Sequence, residues 1–217
     1  MKIFSIQQGT PEWHSVRAGV PTASQFNRIM TPAKREYSKG VDKYMAELLE
    51  DKNLATKGTP EAIGRYCSSA MMHGIETEGD ARDMYEFIEG TRVDQVGFIM
   101  DDDGRFGYSP DGMVGKSGLV EIKCPLRKAH EKYIKDGVLP RAYSGQCHGA
   151  LIITGREWID FMSYHEGLEP FVIRVEWSEQ TDELKQNLER FWDEWSIERN
   201  NSQLFEKEPN YGAVRRS

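Results

Sequence analysis

The sequence predicts an α/β fold in which a central mixed β-sheet is flanked by helices. Three observations lead to this prediction. Apolar residues recur at helical spacing up to residue 89, and the period changes to two from residue 92. One helical segment interrupts the strand-like runs at residues 141–154, and a long one follows residue 178. Strands grouped between helical segments favour a sheet covered by helices.

Length and composition indicate one globular domain. Of the 217 residues, 38% are hydrophobic and 29% are charged, as in ordinary globular proteins. No repeat and no linker rich in Pro, Gly or Ser divides the chain, so a single domain over residues 1–217 is expected. No apolar run approaches the ~20 residues of a membrane helix, and the apolar stretch at the N-terminus is too short for a signal peptide.

Charge and cysteine content restrict the function and the compartment. The net charge of −7 disfavours a general polyanion binder but does not exclude one, because nucleic acids respond to local basic patches. The locally basic segments are Lys34–Arg35, residues 123–135 and Arg215–Arg216. The cysteines, Cys67, Cys124 and Cys147, lack the spacing of a metal site or a disulfide framework, so a reducing, cytosolic compartment is expected.

The N-terminal part of the chain is predicted to be helical. Thr10 and Pro11 form a cap followed by a first-turn proline, which is typical of a helix start. Thr22 to Gln25 has the form of a capping box. The predicted helices cover residues 11–17, 22–30, 41–49 and 59–89, the last with a candidate break at Gly74.

Glu78 occupies an unusual place in the last of these helices. Apolar residues before and after it share its face of the helix, at spacings of 3 or 4 residues. This face comprises Met71, Ile75, Glu78, Ala81, Tyr85 and Ile88. Carboxylates are rarely buried without a partner, so Glu78 is expected to have one.

The remainder of the chain is predicted to supply the sheet and two more helices. The strands are expected at residues 93–100, 105–109, 119–123, 158–164 and 171–177, with a turn at 101–104. The helix at 141–154 places Gln146 on a face with Tyr143, Cys147, Ala150 and Leu151, where an amide needs a hydrogen-bond partner.

Residues 108–125, YSPDGMVGKSGLVEIKCP, contain the main candidate site. Side chains alternate along a strand, so Glu121 and Lys123 share one face, while Val120 and Ile122 face a core. Asp111 follows a proline in a turn one hairpin earlier and can fold beside Glu121. Two carboxylates at such a short distance repel each other, and a divalent cation between them offsets the repulsion. A lysine beside them can orient a water molecule.

A different interpretation of this stretch remains open from the spacing alone. Glu121 and Lys123 could form an ion pair on a solvated strand edge, with Asp111 serving only the Pro-Asp-Gly turn. All three residue types are common and the spacing is loose.

The order of motifs along the chain resembles that of one nuclease family. Pro110–Asp111 followed by Glu121–Ile122–Lys123 has the form of the PD-(D/E)XK signature. QGTPEWHSVRAGVPTAS (8–24), HGIETEGDARDMYE (73–86) and AYSGQCH (142–148) surround it in the order seen in lambda-type alkaline exonucleases of phages. The similarity extends over residues 8–165 as separated motifs.

This resemblance implies a restriction-endonuclease-like core and Mg²⁺-dependent 5′→3′ digestion of one strand of linear double-stranded DNA. Mn²⁺ is expected to substitute for Mg²⁺. The resemblance also implies a homotrimeric ring around DNA, a single-strand annealing protein as partner, and a phage or prophage enzyme acting in the bacterial cytoplasm. Digestion from 5′-phosphorylated ends would be processive and leave 3′ overhangs for recombination.

The resemblance also assigns roles to catalytic residues. Asp111 and Glu121 match the metal-binding carboxylates of the family, and Lys123 matches its catalytic lysine. Glu78 matches the active-site glutamate of the preceding helix, and Gln146 the glutamine of the following one.

A second group of residues matches the family's 5′-phosphate pocket. These are Arg17, Ser24 and Ser109. Arg17 can hold a phosphate bidentately, and Ser24 falls in a first helical turn, where free N–H groups favour anions. The chain departs from the lambda pattern at His148, where a second glutamine is usual. Met71 replaces an apolar residue proposed to wedge into the duplex.

Other functions remain compatible with the same residues. A structure- or sequence-selective endonuclease of the same fold would use an identical metal site. A non-catalytic DNA-binding module would not need Glu78, Asp111, Glu121 and Lys123 together. A hydrolase of small phosphoesters is disfavoured because the chain lacks a nucleotide-binding glycine loop and a His-rich metal motif.

Overall fold

A computed structural model describes the backbone of residues 1–56 and 69–206, and the side chains of residues 1–53 and 77–201. The described helices are α1 (Pro11–Arg17), a 3₁₀ helix (Ala23–Arg28), α2 (Val41–Thr56), α3 (Ser69–Glu89), α4 (Arg127–Asp136), α5 (Arg141–Thr154) and α6 (Glu179–Glu206). The strands are β1 (Lys2–Phe4), β2 (Val93–Asp94), β3 (Phe98–Met100), β4 (Gly107–Tyr108), β5 (Gly112–Val114), β6 (Gly118–Lys123), β7 (Trp158–Ser163) and β8 (Phe171–Glu176).

The strands form two sheets, and the larger is mixed as predicted. It has the order β2-β5-β6-β7-β8, and only β6 and β7 run parallel. Parallel neighbours need a long crossover, which α4 and α5 supply. The smaller sheet has the order β1-β3-β4 and is antiparallel.

Helices cover both faces of the larger sheet. On one face, Leu119, Ile159 and Phe161 join the main core with α2, α5, α6 and the 3₁₀ helix. On the other face, Val120 and Ile122 pack with Ala81 and Tyr85 of α3. The prediction that Val120 and Ile122 face a core is therefore confirmed, and Cys124 lies against the same cluster.

The predicted strand at 93–100 is wrong, because the chain splits it between the two sheets. β2 pairs with β5, whereas β3 pairs with β1 and β4. The break falls at Gly97, where a Cβ atom would lie 1.9 Å from the Ile6 carbonyl oxygen. The N-terminal segment therefore packs against Gly97 too closely for a continuous strand.

The predicted capping box at Thr22 is wrong, although a helix follows this residue. The segment is a 3₁₀ helix, and Thr22 makes no side-chain capping bond. Its hydroxyl instead lies 3.3 Å from the Ser24 hydroxyl, and Thr22 bridges to Gly107 of β4. The Thr22 hydroxyl thus contacts the Ser24 side chain rather than a backbone N–H of the first turn.

Several other expectations are corrected by the structure or concern residues that it does not describe. Helix α3 runs through Gly74 without a break, and Ile88 is 46% exposed, so the apolar face does not extend that far. Several features noted in the sequence lie outside the described residues. They are the predicted helix start at Thr59–Pro60, the side chain of Met71, Cys67 and Arg215–Arg216. No helix in the described ranges is long and apolar enough to cross a membrane.

Candidate active site

Glu121 lies on β6, and its carboxylate is buried in the protein. The residue is 0% exposed, so the alternative of a solvated strand edge is wrong. Tyr108 donates a hydrogen bond to Oε2 at 2.8 Å, and Gln146 of α5 donates one to Oε1 at 2.5 Å. Lys123 also donates to Oε1. These donors hold the carboxylate from both sides.

Asp111 lies beside the end of β6, as its turn position predicts. Its Oδ2 atom accepts a hydrogen bond from the Ile122 backbone N–H at 2.6 Å and lies 3.9 Å from Lys123 Nζ. The Asp111 carboxylate is thus anchored to the strand that carries Glu121 and Lys123. The structure therefore brings all three residues of the motif together.

The charges of these residues affect one another strongly. Burial, followed by the negative charge of Asp111, raises the pKa of Glu121 to about 7, although Lys123 and Tyr108 act in the opposite direction. Burial alone would lower the pKa of Lys123, but Glu121 and Asp111 outweigh it, and the pKa of the amine is raised. The ammonium group therefore stays charged between two carboxylates.

Glu78 borders this site from α3, on the other side of the sheet from α5. Its side chain is 38% exposed and accepts a hydrogen bond from Arg82 at 2.6 Å, so it is less buried than the sequence pattern suggests. Burial and the charge of Asp111 raise the pKa of Glu78, whereas Arg82 and Lys123 lower it. Asp111 and Lys123 are thus close enough to affect its ionisation.

The residues at the site suit a divalent cation bound by oxygen. No group of three or more His, Cys, Asp or Glu side chains that could hold a metal ion occurs in the described part of the chain. Asp111 and Glu121 nevertheless place two mutually repelling carboxylates together, and Asp111 raises the pKa of Glu121. One or two carboxylates completed by water are the ligands that Mg²⁺ accepts. The donor chemistry therefore fits a hydrated divalent ion.

Arg17 and Ser109 form a second, cationic pocket. Arg17 donates a hydrogen bond to Ser109 Oγ at 2.5 Å. Trp13 Nε1 lies 3.1 Å from the same oxygen, and the Arg17 guanidinium stacks 4.0 Å from the centre of the Trp13 ring. Burial lowers the pKa of Arg17 to about 10, which leaves it charged at neutral pH. Among the described residues, Arg17 forms no ion pair with a carboxylate.

The remaining predicted residues are placed as follows. Ser24 is exposed, and its hydroxyl contacts Thr22, which bridges to β4 two residues before Ser109. His148 is buried, and its Nδ1 atom lies 2.8 Å from Thr181 Oγ1, so it packs in the core.

Three aromatic residues at these sites were missed by the sequence analysis as functional candidates. Trp13 contacts Ser109, Tyr108 contacts Glu121, and the ring centre of Tyr143 lies 5.7 Å from Lys123 Nζ. Trp13 precedes Arg17 by four residues, which is a spacing that places two helical side chains side by side. Tyr143 precedes Gln146 by three residues on α5. These spacings could have indicated both residues, but no local pattern indicates Tyr108.

Comparisons with known proteins identify relatives of most of the chain. Residues 12–157 match the family of YqaJ-like viral recombinase domains. The chain is similar to an alkaline exonuclease, LHK-Exo, from Laribacter hongkongensis, with 33% identity and a TM-score of 0.72 over 90% of this chain and 100% of that one. The structure of LHK-Exo in complex with dAMP gives 34% identity and a TM-score of 0.73 over the same shares.

A more distant structure shares the fold alone. The phage-related exonuclease from Haemophilus somnus 129PT has 12% identity and a TM-score of 0.58 over 82% of this chain and 96% of that one. No curated protein sequence matches the chain.

The family match includes both the carboxylate site and the cationic pocket. It begins before Arg17 and ends after Gln146. The resemblance inferred from the order of motifs is confirmed, and so is the α/β fold with a mixed sheet between helices. The chain belongs to the YqaJ-like viral recombinase family, among the lambda-exonuclease-like alkaline exonucleases, and it is a nuclease.

Proposed function

We propose that the protein is a Mg²⁺-dependent exonuclease that degrades one strand of linear double-stranded DNA from 5′-phosphorylated ends in the 5′→3′ direction. One observation carries the proposal: four consecutive residues, Tyr108 to Asp111, link the cationic pocket to the carboxylate site. Ser109 contacts Arg17 in the pocket, and Asp111 lies beside Lys123. A terminal phosphate in the pocket would thus lie near the groups that cut the next phosphodiester.

Asp111 and Glu121 are the proposed metal ligands. Their carboxylates meet at the end of β6, and their repulsion decreases when a divalent cation binds. Mg²⁺ is the expected ion, with Mn²⁺ as a substitute. When bound, the cation polarises the scissile phosphate and stabilises the leaving oxygen.

Lys123 is proposed to orient the attacking water, with Gln146 and Glu78 bordering the reacting phosphate. The water oxygen bonds to phosphorus as the bond from phosphorus to O3′ breaks, and O3′ leaves with a proton as a hydroxyl group. The product is a 5′-mononucleotide, and the shortened strand carries a new 5′-phosphate. The charged state of Lys123 supports this role, because it favours negative charge on the phosphate.

Arg17, Ser109 and Ser24 are proposed to bind the 5′-phosphate. Arg17 is a half-buried cation without a carboxylate partner in the described residues, and such a group favours an anion. The related alkaline exonuclease forms a complex with dAMP, a nucleotide with one phosphate. Each new 5′-phosphate can return to the pocket, which favours processive digestion and leaves 3′ overhangs for phage-type recombination.

The assembly and setting of the enzyme follow from the same family resemblance. We propose that residues 1–217 act as one nuclease domain in a homotrimeric ring that encloses DNA. The expected partner is a single-strand annealing protein, and the expected setting is the cytoplasm of a bacterial host. Sedimentation equilibrium of the purified chain tests the trimer.

Two end labels on linear duplex DNA test the proposed polarity. With Mg²⁺ and a 5′-phosphorylated duplex, the 5′ label is expected to appear in mononucleotides at once, whereas the 3′ label stays in long strands. Release of the 3′ label first would contradict the polarity. Nicking of supercoiled plasmid under the same conditions would instead support the endonuclease alternative.

A further inference from the structure

The two oxygens of the Glu121 carboxylate have different partners. Tyr108 donates to Oε2, whereas Lys123 and Gln146 donate to Oε1. Tyr108 is 1% exposed, while Lys123 and Gln146 are both only partly buried. The hydroxyl of Tyr108 therefore approaches Glu121 from the core, and the other two donors reach it from the open side of the site.

Tyr108 is a more rigid donor than the other two. It lies on β4, where it pairs with Ile99, and the preceding residue, Gly107, is held to the segment around Thr22. Its ring belongs to the main core, which leaves few rotamers open. Lys123 and Gln146 are long, unbranched side chains that can exchange partners at small cost.

We propose that Tyr108 is a positioning residue that fixes the rotamer of Glu121 and leaves Oε1 as the oxygen that binds the divalent cation. This inference rests on the proposed metal-dependent function. A cation and a hydrogen-bond donor compete for the same lone pairs, so a cation held at Oε1 would take the place of the mobile donors, Lys123 and Gln146. Tyr108 would keep its bond to Oε2, and Glu121 would hold the ion through one oxygen.

The same bond connects the two sheets at the active site. Tyr108 belongs to the smaller sheet and Glu121 to the larger one. Ser109, the next residue, contacts Arg17, and Asp111 follows two residues later. Tyr108 therefore fixes Glu121 relative to the segment that carries the second carboxylate and the phosphate pocket.

The experiment compares Tyr108→Phe with a matched control, Tyr85→Phe. Tyr85 is also a buried tyrosine that donates to a buried carboxylate, the Oδ2 atom of Asp160, at 2.7 Å. Each variant loses one buried hydroxyl, and thermal unfolding measures how much stability each variant loses. The decisive measurement is the Mn²⁺ dissociation constant of the DNA-free protein, obtained by titration with detection of free Mn²⁺ by electron paramagnetic resonance.

Tyr108→Phe is expected to bind Mn²⁺ about 10- to 100-fold more weakly than the wild type, the usual effect of losing a group that orients a metal ligand. Its Mg²⁺ requirement for cleavage should rise in parallel, whereas Tyr85→Phe should bind Mn²⁺ like the wild type. Equal Mn²⁺ affinity in Tyr108→Phe and the wild type would overturn the proposal.

A crystal structure of the wild-type protein with Mn²⁺ provides a test that does not depend on the folding of any variant. The proposal requires a bond from Oε1 to the ion with the Tyr108–Oε2 bond retained, and bidentate binding by Glu121 would contradict it. The outcome is separable from the proposed function. A wild-type protein that binds Mn²⁺ in this way but cuts no DNA contradicts the function and supports the role of Tyr108.

Discussion

The Glu121 carboxylate is enclosed by protein. Its surroundings explain both why its ionisation costs free energy and why it is expected to bind a cation. Burial and Asp111 raise its pKa to about 7, so ionising it costs more than ionising an exposed glutamate. Such buried, mutually perturbed groups often mark functional sites. Its two oxygens accept hydrogen bonds from Tyr108, Lys123 and Gln146.

The sequence predicts the members of this site better than it predicts their surroundings. Strand alternation places Glu121 and Lys123 on one face, and the turn places Asp111 nearby. The sequence does not predict that Glu121 is buried, because the groups that enclose it include Tyr108 on another sheet and Gln146 on α5. Contacts between distant segments leave no local period in the sequence.

Arg17→Ala tests the phosphate pocket at the scale of one residue. The variant loses the charged donor that contacts Ser109, and a charge-assisted bond of this kind is worth about 10- to 100-fold. The kcat/KM ratio for 5′-phosphorylated over 5′-hydroxyl duplex should fall by that factor. Retention of the full preference would locate the pocket elsewhere. Arg141→Ala, which changes an exposed arginine on α5, is the control.

His148→Gln tests how a buried histidine makes stability depend on pH. Burial, with a smaller effect of Arg35, lowers the pKa of His148 to about 4. The unfolded chain binds this proton near pH 6.5, so the free energy of unfolding should fall as pH decreases from 6.5 to about 4, by on the order of 3 kcal/mol. In His148→Gln that contribution should be absent.

Urea unfolding at several pH values measures this difference. His165→Gln, which removes a half-exposed histidine, serves as the control for replacing a histidine with glutamine. An unchanged pH dependence in His148→Gln would contradict the assigned cause.

At the scale of elements, strongly patterned segments were predicted well. The helix at 141–154 has the predicted bounds, and β6, β7 and β8 differ from prediction by about one residue. Helix α4 was not predicted, because its only described buried residue is His130 and most of its other residues are charged. β1, β2 and β5 contain three residues or fewer, so their positions depend on pairing rather than on a local pattern.

Helix α4 is expected to contact the DNA backbone. His130 lies 2.7 Å from Ser163, which pairs with Lys123 across the sheet, so α4 lies at the same edge as the active site. Lys128 and Lys135 are exposed and form no ion pair among the described residues. Each is therefore available for a phosphate.

Salt dependence of DNA binding tests this role of α4. Lys128→Ala and Lys135→Ala should each lower the slope of log Kd against log salt by about 0.9, the value for one phosphate contact. Lys116→Ala is the matched control, because Lys116 lies in the turn before β6, at the end away from Lys123. Identical slopes for all three variants would exclude the contact.

At the scale of the whole molecule, two sheets and both helical layers meet at one site. β4 supplies Tyr108, β6 supplies Glu121 and Lys123, α3 supplies Glu78, and α5 supplies Gln146. The overall charge is −7, but nucleic acids respond to local positive charge, and α4 carries two exposed lysines, Lys128 and Lys135, without ion-pair partners among the described residues. Such local positive charge would let a protein of negative net charge approach DNA.

The most direct test of this account compares Lys123→Ala with the wild type. Both are incubated with 5′-phosphorylated linear duplex and Mg²⁺, and the rate of mononucleotide release is measured together with DNA affinity. The account predicts a fall in cleavage of about 10²- to 10⁴-fold with DNA affinity largely retained, because Lys123 acts on the water rather than on DNA capture. Full cleavage activity in Lys123→Ala would contradict it.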